Sequence, residues 1–314
     1  MRDEKTQRIA GVELGGTKCI VVLSDASGAI LEQHAVATQA PGETLDAITA
    51  HLARWWNAGG FDALGIASFG PLDLDPRSPG YGTITTTAKP GWRDAPVLAT
   101  LTERFDVPVA FDTDVNGAAL AEGRWGAAQG LRDYAYVTVG TGVGVGLIVN
   151  GAPTRGIGHC EAGHMRVARL PHDDWAGACP YHGACVEGLA AGPAIAARVG
   201  APAETLPRDH AVWESVVEAV AHMLQALAAA TGPRRFLVGG GVLGARPDLT
   251  ARIDARVRAL VGDYLALPPA SATAPYVSAP GLGAAAGPLG PIALALSVVP
   301  AATANPVQPV TACH

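Results

Sequence analysis

Residues 159–165 read HCEAGHM and residues 179–185 read CPYHGAC, so two short stretches gather much of the metal-binding chemistry of a chain with five cysteines and nine histidines. Cys179, His182 and Cys185 recur every three residues on one short loop, and His164 offers a fourth donor. Together they make a Cys₂His₂ set that suits a closed, tetrahedral, structural zinc ion. The competing reading is a group of unconnected buried thiols beside a surface histidine. His159 and Cys160 lie close enough in sequence to rival these ligands, although Cys160 reads better as a packed, inert thiol. Glu161, and Glu187 just past the second stretch, are carboxylates flanked by small residues, which suits them to accept hydrogen bonds from a polyhydroxylated ligand.

DTDVNGAALAE, residues 112–122, sets Asp112 and Asp114 where an apolar strand should end and a helix begin at Val115 or Asn116. Either acid could cap that helix. Alternatively, one of them takes the proton of an attacking hydroxyl, as phosphoryl transfer to an alcohol requires. Three glycine tracts supply the other half of such a reaction. GVELGGTK (11–18) puts Gly15 and Gly16 in a turn where backbone N–H groups can approach an anion, beside the Thr17 hydroxyl and the Lys18 ammonium. TVGTGVGVG (138–146) repeats this chemistry with Thr138, Gly140, Thr141, Gly142 and Gly144. Two such turns facing across a cleft would hold a polyphosphate. LVGGGVLG (237–244), between a strand and a helix, offers Gly240 and Gly241 as a flat bed for an adenosine. A tight hairpin is the plain alternative for the first tract alone. No G-x-x-x-x-G-K-[ST] occurs. Gly239, Gly241 and Gly244 do satisfy G-x-G-x-x-G, but only one convincing strand follows, too little for a dinucleotide-binding half.

The elements that must carry these residues follow from periodicity. The first forty residues read as three strands in an antiparallel meander, and GETLDAITAHLARWWNAGG as a helix with Leu45, Ile48, Leu52 and Trp55 on one face. ALGIASF reads as a strand, Leu98 to Phe105 as a short helix, and VPVAFDTD as a strand ending on its acids. From Tyr134 the strand, glycine turn, strand logic recurs, which points to two related lobes. Downstream come helices over Ala211–Ala230 and from Pro247 to about Ala266, strands in RRFLVGG and PYVSA, and an alanine-rich final helix. The last dozen residues read as disordered.

At 314 residues the chain exceeds the size of one growing core, so two α/β lobes with a ligand cleft are expected. The boundaries fall at 1–112 for a small N-terminal lobe, joined by the C-terminal helix of about 290–314, and at 113–289 for a larger lobe with the zinc loop. A formal charge of −6 with only 22 Lys and Arg leaves no face for a phosphate backbone, so nucleic acid is not expected as a partner. No apolar run spans a bilayer and no leader precedes the first strand, which points to a cytoplasmic protein without a membrane partner.

GVELGGTK, DTDVNGAALAE, TVGTGVGVG, HCEAGHM and CPYHGACVEG occur in the order and spacing of the bacterial ROK sugar kinases (repressor, open reading frame, kinase). The chain resembles most closely their fructokinase branch, from Gly11 to about Leu296. The resemblance implies a two-lobed actin-like ATPase (ribonuclease H-like) fold, with ATP, its Mg²⁺ and a free hexose in the cleft. On it Asp114 matches the catalytic base, and Phe69, Gly70, Pro71, Thr113, Glu161, His164 and Glu187 match sugar-binding positions, so that His164 would touch both zinc and sugar. A homodimer is also implied. Thr113 stands where many members have Asn, and Glu13 where the commoner motif has Asp. With the stretch SFGPLDLDPRSPGYGTITTTAKPGW, these departures point to fructose, phosphorylated at its 6-hydroxyl, and away from a generic glucokinase. Mannose, glucose or an N-acetylated hexosamine is the near alternative. A sugar-sensing transcriptional regulator would need a DNA-binding domain, and only ten residues precede Gly11. A purely structural zinc protein would leave Asp114 and the glycine turns without a use.

Overall fold

The apolar and β-branched runs at the start form β1 (Arg8–Leu14), β2 (Lys18–Asp25) and β3 (Ile30–Ala37), paired antiparallel as the expected meander. The computed structural model describes residues 7–269 and 275–299. The disorder expected of the last dozen residues, and the end of the expected C-terminal helix, lie outside the described residues. After the meander, α1 (Pro41–Asn57) buries Leu45, Ile48, Leu52 and Trp55 at the predicted spacing and stops before Gly59 and Gly60, both at positive φ. β4 (Ala63–Ser68), α2 (Val97–Thr102) and β5 (Val109–Thr113) complete the first half. The strands order as β3-β2-β1-β4-β5, with β4 and β5 parallel to β1.

α3 (Asp114–Trp125) leads into a second sheet of β6 (Tyr134–Val139), β7 (Val143–Val149), β8 (Ala152–Pro153), β9 (Phe236–Gly239) and β10 (Val277–Ser278). Its order, β10-β9-β6-β7-β8, repeats the first sheet strand for strand: two antiparallel neighbours on one side of the opening strand and two parallel ones on the other. The recurrence legible from Tyr134 is therefore a repeat of topology. α4 (Val186–Ala190), α5 (Gly192–Val199), α6 (Val212–Thr231), α7 (Gly241–Gly244) and α8 (Pro247–Val261) belong to this half. Each sheet has its own apolar core.

The last helix, α9 (Ala286–Val298), returns to the first sheet and packs on β1, β4 and α3. Backbone approaches backbone there. A Cβ on Gly65 would fall inside the Pro291 carbonyl and 2.9 Å from the Ala295 nitrogen, and one on Gly290 would lie 2.9 Å from the Ala118 nitrogen. Glycine at these crossings lets the helix sit directly on strand and helix backbone.

Five local expectations change. α2 ends at Thr102, short of Phe105. α3 starts at Asp114, not at Val115 or Asn116, because Thr113 supplies the cap: its hydroxyl accepts the Asn116 N–H at 3.1 Å. α8 ends at Val261, short of Ala266, because Gly262 takes an extended positive-φ conformation (φ 58°, ψ −148°) that favours glycine and breaks the ladder. PYVSA contributes only a two-residue strand. α4 and α5 follow the cysteine loop, where no helix was expected.

Gly65→Ala should therefore destabilise the protein by about 3 kcal/mol or more, since neither facing backbone can yield cheaply. Gly16→Ala, whose Cβ would meet nothing within 4 Å, should change stability by less than about 0.5 kcal/mol. Urea unfolding of both variants measures the contrast.

Candidate active site

The strand-to-helix junction at Asp112–Asp114 gives its two acids different fates. Asp112 is 1% exposed; its Oδ1 accepts the Thr113 N–H at 2.7 Å and the Asn116 side-chain amide at 2.8 Å. Its Oδ2 accepts Arg155 at 2.6 Å. With its acceptors filled, Asp112 is a structural carboxylate. Among the described residues, Asp114, the first residue of the helix, accepts a hydrogen bond only from its neighbour Val115 N–H, at 2.9 Å. Burial pushes its carboxyl up to about 7, and the charges of Glu13 and Glu161 add to the push against the opposing Val115 hydrogen bond. A carboxylate poised near neutral pH is suited to accept a proton.

Asp114 and Thr113 open onto a cavity of about 610 Å³. Gly16 and Thr17 of the β1–β2 turn, with Phe69, Gly70 and Pro71 after β4, line it from the first sheet. Thr138, Gly140, Thr141, Gly142 and Gly144 of the β6–β7 hairpin face them. The two glycine turns thus share one space. Gly15 and Lys18 stand outside this lining. Gly15 shapes the turn, its carbonyl accepting the Thr38 hydroxyl at 2.8 Å, and Lys18 is exposed, its charge felt by Glu13.

Glu161, His164 and Glu187 close the far wall. The Glu187 Oε2 accepts the Val143 N–H at 3.1 Å and so clamps the second glycine turn, while its Oε1 lies 4.0 Å from His164 Nδ1. On the other edge of that ring, Nε2 lies 3.9 Å from Glu161 Oε2. Burial, then the Glu187 charge, push Glu161 up to about 7, although its side chain keeps 44% exposure and cleft water screens the effect.

His159 belongs here and not with the metal donors. Its Nε2 accepts the Leu72 N–H at 3.0 Å, which leaves the proton on Nδ1, 3.3 Å from Glu161 Oε1. The ring therefore ties Glu161 to the wall formed by Gly70 and Pro71.

The side-chain donors of His164, Cys179, His182 and Cys185 all lie within 4.8 Å of one another. Cys179 Sγ is 3.6 Å from His164 Nδ1 and 3.7 Å from His182 Nδ1, and Cys185 Sγ is 3.7 Å from His164 Nδ1. Local structure produces this convergence. Cys179 and Gly183 exchange backbone hydrogen bonds in a tight knuckle, Cys185 caps α4, and Val186 N–H bonds to Met165 O at 3.0 Å, drawing the loop onto the His164 turn. The group can hold a metal ion.

A second cavity, of about 560 Å³, meets the first at Gly140 and Thr141. Gly241 and Val242 of α7, Gly192 and Pro193 of α5, and Pro202 and Ala203 line it. Gly240 stands just outside, at φ 90°, where a Cβ would come within 2.5 Å of the Val139 nitrogen; bare backbone is required for α7 to cross the end of β6. Arg246, stacked 4.2 Å from the Trp213 ring centre, forms another wall. The α5 and Arg246 walls, like His159's bonds, escaped sequence reading, since no spacing rule connects them to the motifs; the Thr87–Lys89 stretch that lines the first cavity belongs to SFGPLDLDPRSPGYGTITTTAKPGW, but sequence reading assigns it no role there.

The ROK family model matches residues 9–298. Fructokinase from Zymomonas mobilis is 40% identical over 293 residues, covering 91% of this chain and 95% of the relative. Fructokinase from Pediococcus pentosaceus is 37% identical over 287 residues, covering 91% and 97%. Among solved structures, a ROK family glucokinase from Streptomyces griseus in complex with glucose and AMPPNP superposes with a TM-score of 0.71 at 28% identity, over 92% of this chain and 99% of that one. The two mixed sheets are those of the actin-like ATPase fold.

The raised Asp114 carboxyl has a measurable cost. A group titrating higher in the folded chain than in the unfolded one stabilises fully below its unfolded value of 3.8 and loses that contribution as pH rises through about 7. Asp114→Asn should therefore stabilise the protein above about pH 7, by on the order of 1 kcal/mol or more once cleft water on its partly exposed side chain is counted, and lose that advantage toward about pH 4. Thermal melts of the two proteins across this range provide the measurement.

Proposed function

The chain belongs to the ROK family, and from its cleft we propose that it is an ATP-dependent fructokinase that phosphorylates D-fructose at the 6-hydroxyl. The observation that carries this reading is Asp114: a desolvated, nearly unpartnered carboxylate in a cavity bounded by two glycine turns and by Glu161, His164 and Glu187. ATP would lie across the Gly140–Thr141 junction, its adenosine in the second cavity near Gly241 and its phosphates between the turns. The hexose would sit on Phe69, Gly70, Pro71, Thr113, Glu161, His164 and Glu187. Asp114 takes the proton of the attacking hydroxyl as its oxygen bonds to the γ-phosphorus and ADP departs. Magnesium arriving with ATP supplies positive charge to the phosphates. Relatives named fructokinase that match nearly the whole chain favour fructose.

The four-donor cluster fits zinc. Bonds of about 2.0 Å to nitrogen and 2.3 Å to sulfur set tetrahedron edges of roughly 3.3–3.8 Å, which matches the 3.6 and 3.7 Å donor separations. Held through Nδ1, His164 keeps Nε2 for the sugar side. The ion would pin residues 179–185 against the cleft and so fix Glu187 and Glu161 without entering the reaction. A small lobe of 1–112 with the closing helix of about 290–314, a large lobe of 113–289, a homodimer and a cytoplasmic location complete the reading. The packing of α9 on β1 and β4 supports the lobe assignment.

An assay coupled to ADP release across fructose, mannose, glucose and N-acetylated hexosamines tests the reaction, with fructose expected to give the highest kcat/KM; no turnover with any hexose would reject it. Asp114→Ala should cut turnover by about 10² to 10⁴-fold with ATP affinity nearly unchanged, and near-normal turnover would remove Asp114 as the base. Elemental analysis should find about one zinc per chain. Cys179→Ala should lower both the melting temperature and sugar affinity, while nucleotide affinity changes less.

A further inference from the structure

Among the described residues lining the Asp114 cavity, Lys89 is the only lysine or arginine, and the carboxylates Asp114, Glu161 and Glu187 line the same cavity. Its Nζ donates to the Gly16 carbonyl at 2.5 Å, on the glycine turn of the first sheet. An ammonium has three N–H donors, so two remain for a ligand. The loop that presents it is held at several points. Trp92 is fully buried, donates to Gln39 O at 2.9 Å and packs edge-on against Phe69. Thr85 donates from its backbone and its hydroxyl to Pro71 O, at 2.8 and 3.1 Å. The Thr87 hydroxyl accepts the Lys89 N–H at 3.2 Å. Lys18, the lysine within the glycine motif, is outside the lining.

A phosphoryl group crossing this cavity would bring its negative oxygens into a space walled by carboxylates. Fixed positive charge at that point favours the transfer, and favours it most in a site that excludes water. We infer that Lys89 is a catalytic residue whose ammonium contacts the phosphoryl oxygens in transit and the phosphate of the product. Lys89 neither gains nor loses a proton: the hydroxyl oxygen bonds to phosphorus, the bond to the ADP oxygen breaks, and the hydroxyl proton goes to Asp114. The inference rests on the kinase reading above.

The test compares wild type, Lys89→Met and Lys89→Arg. Lys89→Met should lower kcat by about 10² to 10³-fold, leave the KM for free hexose within about twofold, and weaken binding of the phosphorylated hexose, measured by calorimetry, by about tenfold. Lys89→Arg should recover at least about tenfold of the lost kcat, because it restores charge. Lys89→Met with kcat within about threefold of an active wild type would overturn the lysine's role alone. So would equal losses in both variants accompanied by a common fall in melting temperature, which would make Lys89 a loop tether. A wild-type chain that phosphorylates no hexose overturns the kinase reading and this inference together.

Discussion

A carboxylate removed from water must have its lone pairs filled by the protein, and Asp112 does this in a way that organises the rest of the site. Its bonds to the Thr113 N–H and the Asn116 amide rivet the end of β5 to the first turn of α3. Its bond to Arg155 brings in a residue from just past β8 of the other sheet. One buried charge therefore fixes the strand-to-helix geometry and joins the two halves of the molecule. Asp114 inherits its position from that junction and none of its bonding partners, which is why one acid is inert and the other is available.

The cleft concentrates negative charge and distributes its restraint. Asp114 and Glu161 are both pushed toward neutral pH by desolvation, and each feels another carboxylate. Glu187 and His164 link the far wall of the cleft to the Cys/His cluster, and His159 links that wall to the one after β4. A ligand rich in hydroxyl donors relieves this crowding by giving the carboxylates what the protein withholds. The same arrangement explains why stability and function pull apart here: groups that would be better off protonated or solvated are held otherwise by the surrounding fold.

Much of this was legible in the chain because its chemistry is local. Glycine turns between strands, the acids at a strand end and the Cys-x-x-His-x-x-Cys run each declare themselves within a dozen residues. The repeat of the opening hairpin from Tyr134 exposed the duplicated topology. What stayed hidden depends on distant partners. Thr113 displaced the acids as helix cap because its hydroxyl is the group that reaches Asn116 N–H. His159 looked like a spare metal ligand until its nitrogens were found committed to Leu72 and Glu161, 87 residues away in one case. Lys18 carried the expected positive charge in the motif, yet as the exposed first residue of β2 it stands outside the cleft lining.

The return of α9 to the first sheet has a consequence for how the polypeptide can be assembled during synthesis. β1 through β5 are complete by residue 113, but the helix that rests on β1 and β4 spans residues 286–298. On a ribosome emitting about 5–20 residues per second, the first sheet therefore waits many seconds with one face uncovered while the entire second sheet is made. Closure of that face is a long-range event carrying a large loop-closure entropy. The second half, whose strands and covering helices lie between its own ends, is free to consolidate first, so the N-terminal half, although synthesised earlier, finishes last.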